Sequence, residues 1–349
     1  MAPPLLVVEH LTIRFHARPF IGSPTRAEPS APPFEAVRDV GFWLRPGDSL
    51  ALIGERGAGK TTIALAVAGL LSPNAQTSGV IRFRDAIISD IPAPRRAALR
   101  GAEIALVQAE NAGVLTPTLT IGTHLLEAPM HHHQLTRQAA RNQAVDLLAR
   151  FGVAAPTTIL RRYPHQIAPH DLRAILIAMA MLSRPAALIL DTPVIRSDRD
   201  EIILQEIRTW QESTGAALLC FTDSPNIAQS LANRAMTLYA GMIVESCGMN
   251  DFIQAPQHPY SQALLSRISF DGFETPPGRI GSIGSASIGC PYLPHCPLAE
   301  ERCRFDLPPL RPLPGKSWPL RAKACHHENT ALTENQRNTA TQHKRQNIN

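Results

Sequence analysis

Gly54-Glu55-Arg56-Gly57-Ala58-Gly59-Lys60-Thr61-Thr62 has the spacing of a complete phosphate-binding loop, and its flanks decide the architecture that carries it. Ser49-Leu50-Ala51-Leu52-Ile53 before it is a short apolar run, and Thr62 to Ala68 after it is an apolar, helix-forming stretch. The context is therefore strand, tight glycine turn, helix, which implies an α/β fold. Backbone N–H groups of such a turn converge on phosphate oxygens, and the helix N-terminus adds partial positive charge. Gly54, Gly57 and Gly59 supply the turn, with Thr62 in the first helical turn. Lys60 is expected to reach the β and γ phosphates, and the Thr61 hydroxyl to join a Mg²⁺ shell.

Working outward, Ala187-Leu188-Ile189-Leu190 is a second apolar strand and ends at Asp191. A carboxylate at the C-terminal end of a buried strand beside a phosphate loop suits a Mg²⁺–water ligand, and the other reading of Asp191 is a capping or turn carboxylate. A further strand covers Ala216 to Phe221 and precedes a helix from Asn226. At the N-terminus, Leu5 to Val8 and Leu11 to Phe15 read as separate strands, and the Pro, Gly and Ser-rich segment Pro19 to Pro33 reads as a loop. Phe15 is a candidate for stacking on a base, with a core phenylalanine as the competing use. Residues 110 to 160 turn polar and helical, Thr136 to Phe151 most clearly, which predicts a helical insertion at about 110–180. His131, His132 and His133 at its edge cannot share one helical face, so a solvated loop is expected there in place of a three-ligand metal site.

With 349 residues and 44% apolar content, about two domains are expected, with a core-forming α/β unit. No apolar run is long enough for a bilayer span, and no positively charged leader precedes one, so a soluble chain is expected. The net charge of +5 comes from scattered Lys and Arg, which fits a solvated basic surface better than a nucleic-acid footprint.

A second candidate site lies in a Pro-rich segment, where Cys290, Cys296, Cys303 and Cys325 are spaced x5, x6 and x21. Four soft thiolates would suit iron–sulfur or zinc, and a metal-free thiol cluster is the alternative. Cys220 and Cys247 read as ordinary buried thiols. Pro256 interrupts the pattern near residues 253–258, which sets the expected domains at 1–255 and 256–325, with a disordered polar tail at 326–349.

Beyond the phosphate loop, several further stretches carry a family likeness. They are Tyr163-Pro164-His165-Gln166 before a helix containing Ile177-Ala178-Met179-Ala180, Arg184-Pro185 before the Asp191 strand, Tyr239-Ala240-Gly241, and His258-Pro259-Tyr260 followed by Leu264-Leu265. Together they resemble the ATP-binding subunits of ABC importers of the oligopeptide, dipeptide and Sap-like branch over about residues 4 to 325. The resemblance implies an ABC-type P-loop nucleotide-binding domain with a helical insertion and a small Cys-rich C-terminal extension. It implies ATP and Mg²⁺ as ligands, and a [4Fe–4S] cluster on the four cysteines. It also implies a second ATP-binding subunit, in a heterodimer, and integral permease subunits. An external substrate-binding protein and a peripheral place on the cytoplasmic face of the plasma membrane complete what it implies; nucleic acid is not an expected partner.

The departures from that family set the expected chemistry. Its Ser-Gly-Gly signature stands here as Ala168-Pro169-His170, its catalytic glutamate position is Thr192, and its switch histidine position is Thr222. The Q-loop glutamine position holds Ala109, and Gln108 beside it restores the group if the alignment shifts by one. A threonine cannot replace a carboxylate that orients water, and such acid–base groups are worth about 10² to 10⁴ in rate. Phosphate binding depends chiefly on Gly54 to Thr61 and survives these losses. The expectation is ATP binding with weak or absent hydrolysis; a non-hydrolysing regulatory or scaffold subunit with a metal- or redox-sensing C-terminal domain is the alternative.

Overall fold

The structure is a computed structural model and describes residues 3–16, 33–108, 112–191, 198–266, 288–313 and 321–328. Thr192, Ala109, most of the Pro19–Pro33 segment and residues 329–349 of the tail lie outside them.

The chain opens with β1 (Leu6–Phe15) and β2 (Phe34–Leu44), then β3 (Ser49–Ile53), the loop, and α1 (Lys60–Val67). β4 (Ala75–Phe83), β5 (Ala86–Ile87), α2 (Ala93–Leu99) and β6 (Ile104–Gln108) follow. Next come α3 (Ile121–His133), α4 (Arg137–Arg150), α5 (Pro156–Ile159) and α6 (Pro169–Leu182). β7 (Ala187–Asp191), α7 (Asp198–Thr214), β8 (Ala217–Thr222), α8 (Pro225–Leu231), β9 (Arg234–Tyr239) and β10 (Met242–Gly248) complete the alternating part. α9 (Met249–Gln254), α10 (Pro259–Ser266), α11 (Arg302–Phe305), β11 (Arg311–Pro312) and β12 (Ala322–Lys323) end it.

Two sheets result. One runs β2-β1-β4-β5, and the larger runs β11-β12-β10-β9-β3-β8-β7-β6. Its central strands β9, β3, β8, β7 and β6 are parallel. β3, β7 and β8 are buried at every position, which is why they read as unbroken apolar runs: a parallel sheet covered on both faces has no solvent side to alternate toward. β1 instead alternates buried and open positions, as a strand with one wet face does.

β1 is continuous where the sequence suggests two strands. The break at Glu9-His10 is a bulge: His10 takes φ 51°, and the register shifts between Val8 and Leu11 against β2 and between Glu9 and Thr12 against β4. A bulge inserts residues without ending the pairing.

One apolar core lies between the two sheets and takes in Ile63 and Val67 of α1. A second joins the far face of the large sheet to α3, α4 and α6, the helical insertion. Thr120 and Thr136 cap α3 and α4, accepting from the Thr123 and Ala139 N–H groups at 3.2 Å each. The histidines expected in a loop form the last turn of α3, because that helix closes only at Gln134, which takes φ 51°. His133 Nε2 lies 2.8 Å from the Ser183 carbonyl and ties α3 to the end of α6. Among the described residues no helix is long and apolar enough to cross a membrane.

Candidate functional site: a phosphate loop between two strand ends

The loop leaves β3 at the point where neighbouring parallel strands also end. Gly54 N–H donates to the Thr222 carbonyl at 3.1 Å, Ala58 N–H to the Glu55 carbonyl at 3.2 Å, and Gly241 N–H to the Ala58 carbonyl at 3.0 Å. Gly59 takes φ 105°, and a Cβ there would stand 2.7 Å from the Ala36 carbonyl oxygen. A side chain at Gly54 would run into the Leu238 carbonyl. The turn therefore needs glycine at both ends, one for conformation and one for close packing.

α1 starts immediately. Its first intrahelical bond runs from Ile63 N–H to the Gly59 carbonyl at 3.0 Å, so the N–H groups of Lys60, Thr61 and Thr62 have no partner within the helix. Lys60 is buried, and its Nζ donates to the Gly54 carbonyl at 2.6 Å and the Glu55 carbonyl at 2.9 Å. Burial holds its pKa below the ordinary lysine value, against the attraction of Asp223, Asp191 and Glu55. A desolvated ammonium folded onto loop carbonyls, beside helix N–H groups, is a site made for an anion.

Asp191 ends β7 facing this loop. Its Oδ1 accepts from the Thr61 hydroxyl at 3.2 Å, and the Gln108 side-chain amide approaches Oδ2 at 3.5 Å. Gln108 and Asp191 are register partners across β6 and β7. The structure thus brings Lys60, Thr61, Asp191 and Gln108 together, and it is Gln108 whose amide reaches the carboxylate. Mg²⁺ keeps several waters and takes one or two protein groups beside the substrate's phosphates, so the Thr61–Asp191 pair fits such an ion.

Of the remaining candidates, Thr222 meets the loop through its carbonyl, the acceptor for the Gly54 N–H. Thr222 is fully buried, and its hydroxyl accepts the Ser224 N–H at 3.0 Å, a local turn contact. Ala168 precedes α6 with no side-chain capping bond, Pro169 is the first helical residue, and His170 points outward with Nε2 3.5 Å from Asp171 Oδ1. Phe15 is half-buried at the end of β1, opposite Phe34 and Ala75, and packs on the core between the sheets. Cys220 and Cys247 are buried thiols, with burial pushing Cys220 up to about 12 and raising Cys247 as well.

The expectation of an iron–sulfur cluster is overturned. Cys290, Cys296, Cys303 and Cys325 are free and all described, yet among the described residues no group of three or more His, Cys, Asp or Glu side chains could hold a metal ion. The physical reason is their role in packing. Cys290 and Cys296 lie against the main core, Cys303 is buried, and burial raises the thiols of Cys290, Cys296 and Cys325, Cys296 to about 12.

Sequence reasoning missed one contact at the loop: the Glu55 N–H donates to the Tyr260 hydroxyl at 2.9 Å. The only signal was the His258-Pro259-Tyr260 stretch itself, 205 residues away along the chain.

Comparison with known proteins agrees with this geometry. The family described as ABC transporter matches residues 37–195, and the oligopeptide/dipeptide transporter C-terminal region matches residues 244–303. The dipeptide transport ATP-binding protein DppD of Bacillus subtilis is 32% identical, over 75% of this chain and 81% of its own length. DppD of Escherichia coli is 30% identical over 84% and 91%. The oligopeptide transport ATP-binding protein OppD of Mycobacterium tuberculosis is 31% identical over 88% of this chain, which spans only 50% of that relative. The post-hydrolysis dimer of the ATP-binding cassette MJ0796 bound to ADP and Pi covers 70% of this chain and 98% of its own, with a TM-score of 0.59 at 18% identity, a likeness of fold.

Proposed function

The chain belongs to the ATP-binding proteins of the oligopeptide/dipeptide ABC transporter family, and from that premise we propose that it binds Mg-ATP and couples closure of a subunit pair to peptide import. The observation that carries this reading is the joined site: Lys60 folded onto the loop carbonyls and Thr61 hydrogen-bonded to Asp191. When bound, Mg²⁺ would neutralise phosphate charge. Thr61 and Asp191 would hold it, the α1 N–H groups would face the phosphates, and the Lys60 ammonium would donate to phosphate oxygens.

Hydrolysis at this chain's own loop is weak or absent. Thr222 offers no proton-transferring group and spends its hydroxyl on Ser224, and Thr192 stands at the glutamate position. The proposed setting is a heterodimer with a second ATP-binding subunit, against integral permease subunits on the cytoplasmic face of the membrane, fed by an external binding protein. The altered start of α6 favours a second reading, a regulatory subunit that uses nucleotide binding alone.

Titration of Mg-ATP into the wild-type chain and into Lys60→Ala tests the core of the proposal. Saturable binding by wild type and at least about tenfold weaker binding by the variant is expected, since a charged hydrogen-bonding partner is lost. Equal affinities would remove the loop from the assignment.

A further inference from the structure

One peptide plane of the phosphate loop is gripped at both ends. The carbonyl of Gly54 accepts from Lys60 Nζ at 2.6 Å, and the N–H of the same Gly54–Glu55 peptide donates to the Tyr260 hydroxyl at 2.9 Å. The first grip is shared, because the Lys60 ammonium has three donors and is also the group aimed at phosphate. The second is built into the fold.

Tyr260 is 2% exposed, on the first turn of α10. The buried Glu245 carboxylate accepts the N–H groups of Gln257 and His258 at 2.7 and 2.8 Å, fixing the entry to that helix. His258 Nδ1 accepts the N–H of Tyr260 at 3.1 Å, and Ser261 Oγ lies 3.0 Å from Thr237 Oγ1. The Tyr260 ring packs edge-on against Tyr239 at 4.7 Å between centroids and tilted against Tyr292 at 5.4 Å. The ring that carries the hydroxyl is thus held by Tyr239 and Tyr292, on a helix whose entry is fixed by Glu245 and His258.

We propose that Tyr260 is a positioning residue for the nucleotide: its hydroxyl holds the Gly54–Glu55 peptide in place when Lys60 also donates to the phosphates, so the loop N–H groups stay aimed. Tyr260 does not touch the nucleotide; it lowers the ordering required on binding. The inference rests on the Mg-ATP reading above.

The test measures Mg-ATP affinity by calorimetry on the full chain, with thermal midpoints recorded alongside. Tyr260→Phe keeps the ring and removes the hydroxyl, and affinity should fall about 3- to 10-fold, the range for one neutral hydrogen bond. Ser261→Ala breaks a neighbouring buried bond on the same helix, and should lower the thermal midpoint while leaving affinity unchanged. Affinity of Tyr260→Phe equal to wild type, or an equal loss in Ser261→Ala, would overturn the proposal. Amide exchange provides a variant-free measurement: the Glu55 N–H of nucleotide-free wild type should be protected, and rapid exchange there would refute the grip. If Lys60→Ala loses binding and Tyr260→Phe does not, the ATP reading stands and this inference fails. If wild type binds no ATP, both fail.

Discussion

His258 shows how a single ring can tie stability to pH. It is 2% exposed, and burial, aided by the positive charge of Lys323, pushes its pKa from the ordinary histidine value down to about 3. Its Nδ1 accepts the Tyr260 N–H, so the folded chain requires the neutral ring. Because the folded pKa lies below the unfolded one, the unfolded chain takes up a proton first as pH falls. The stability this group contributes is complete above about pH 6.5 and declines from there toward pH 3, by about 1.4 kcal/mol per unit at most. Buried Glu245, whose pKa is raised, acts with the opposite sign as pH rises above the ordinary carboxylate range, so the wild-type slope mixes the two. His258→Asn separates them, since an amide oxygen can accept the same N–H and does not titrate. Urea unfolding at pH 6.5, 5.5 and 4.5 should show the variant losing about 1 kcal/mol less per unit than wild type. Parallel slopes would mean His258 is not sealed.

At the scale of the element, the turn into β3 and the phosphate loop that leaves it place different demands on two glycines. Gly47 takes φ 78° with nothing within 4 Å of a built Cβ, whereas Gly59 takes φ 105° with the Ala36 carbonyl 2.7 Å away. Gly47→Ala should cost about 1 kcal/mol from conformation alone, and Gly59→Ala about 2–3 kcal/mol with loss of nucleotide binding, because the Ala36 backbone cannot yield. Equal unfolding midpoints for the two variants would contradict this. The same stretch explains what the sequence made legible. β3, β7 and β8 are apolar at nearly every position, and their ends carry the loop, Asp191 and Thr222, so fold and phosphate site could be read from runs a few residues long. Contacts that depend on geometry across the chain could not. The bulge at His10 hid the continuity of β1, and the polar His131–His133 turn concealed the end of α3. The cysteine spacing carried no information on how far burial would favour neutral thiols. Tyr260 was visible as a family mark, but its hydroxyl meets Glu55 only after β9, β10 and α10 have packed.

At the scale of the whole molecule, the start of α6 is the surface that the proposed subunit pair would turn toward the partner's nucleotide. Ala168 offers no side-chain oxygen, Pro169 has no N–H, and the His170 side chain is about half exposed. Donors aimed at developing charge are each worth about 10²–10³ in rate, so a γ phosphate presented by a partner subunit would find too few of them here. The defect proposed for the own-loop site is a different one, at Thr192 and Thr222, and the two can be told apart. In the assembled complex, the combined change Ala168→Ser, Pro169→Gly and His170→Gly should raise single-turnover hydrolysis of partner-bound ATP by at least about tenfold, and leave hydrolysis at the Lys60 loop unchanged. Thr192→Glu should do little by itself, since Thr222 still supplies no group to couple water to the γ phosphate. Disabling each phosphate-loop lysine in turn assigns the rates. A normal rate from nucleotide held at Lys60 in the unmodified chain would overturn the reading of this subunit as a binder with little turnover of its own. A repaired signature that left the partner's rate unchanged would show that α6 does not face that nucleotide.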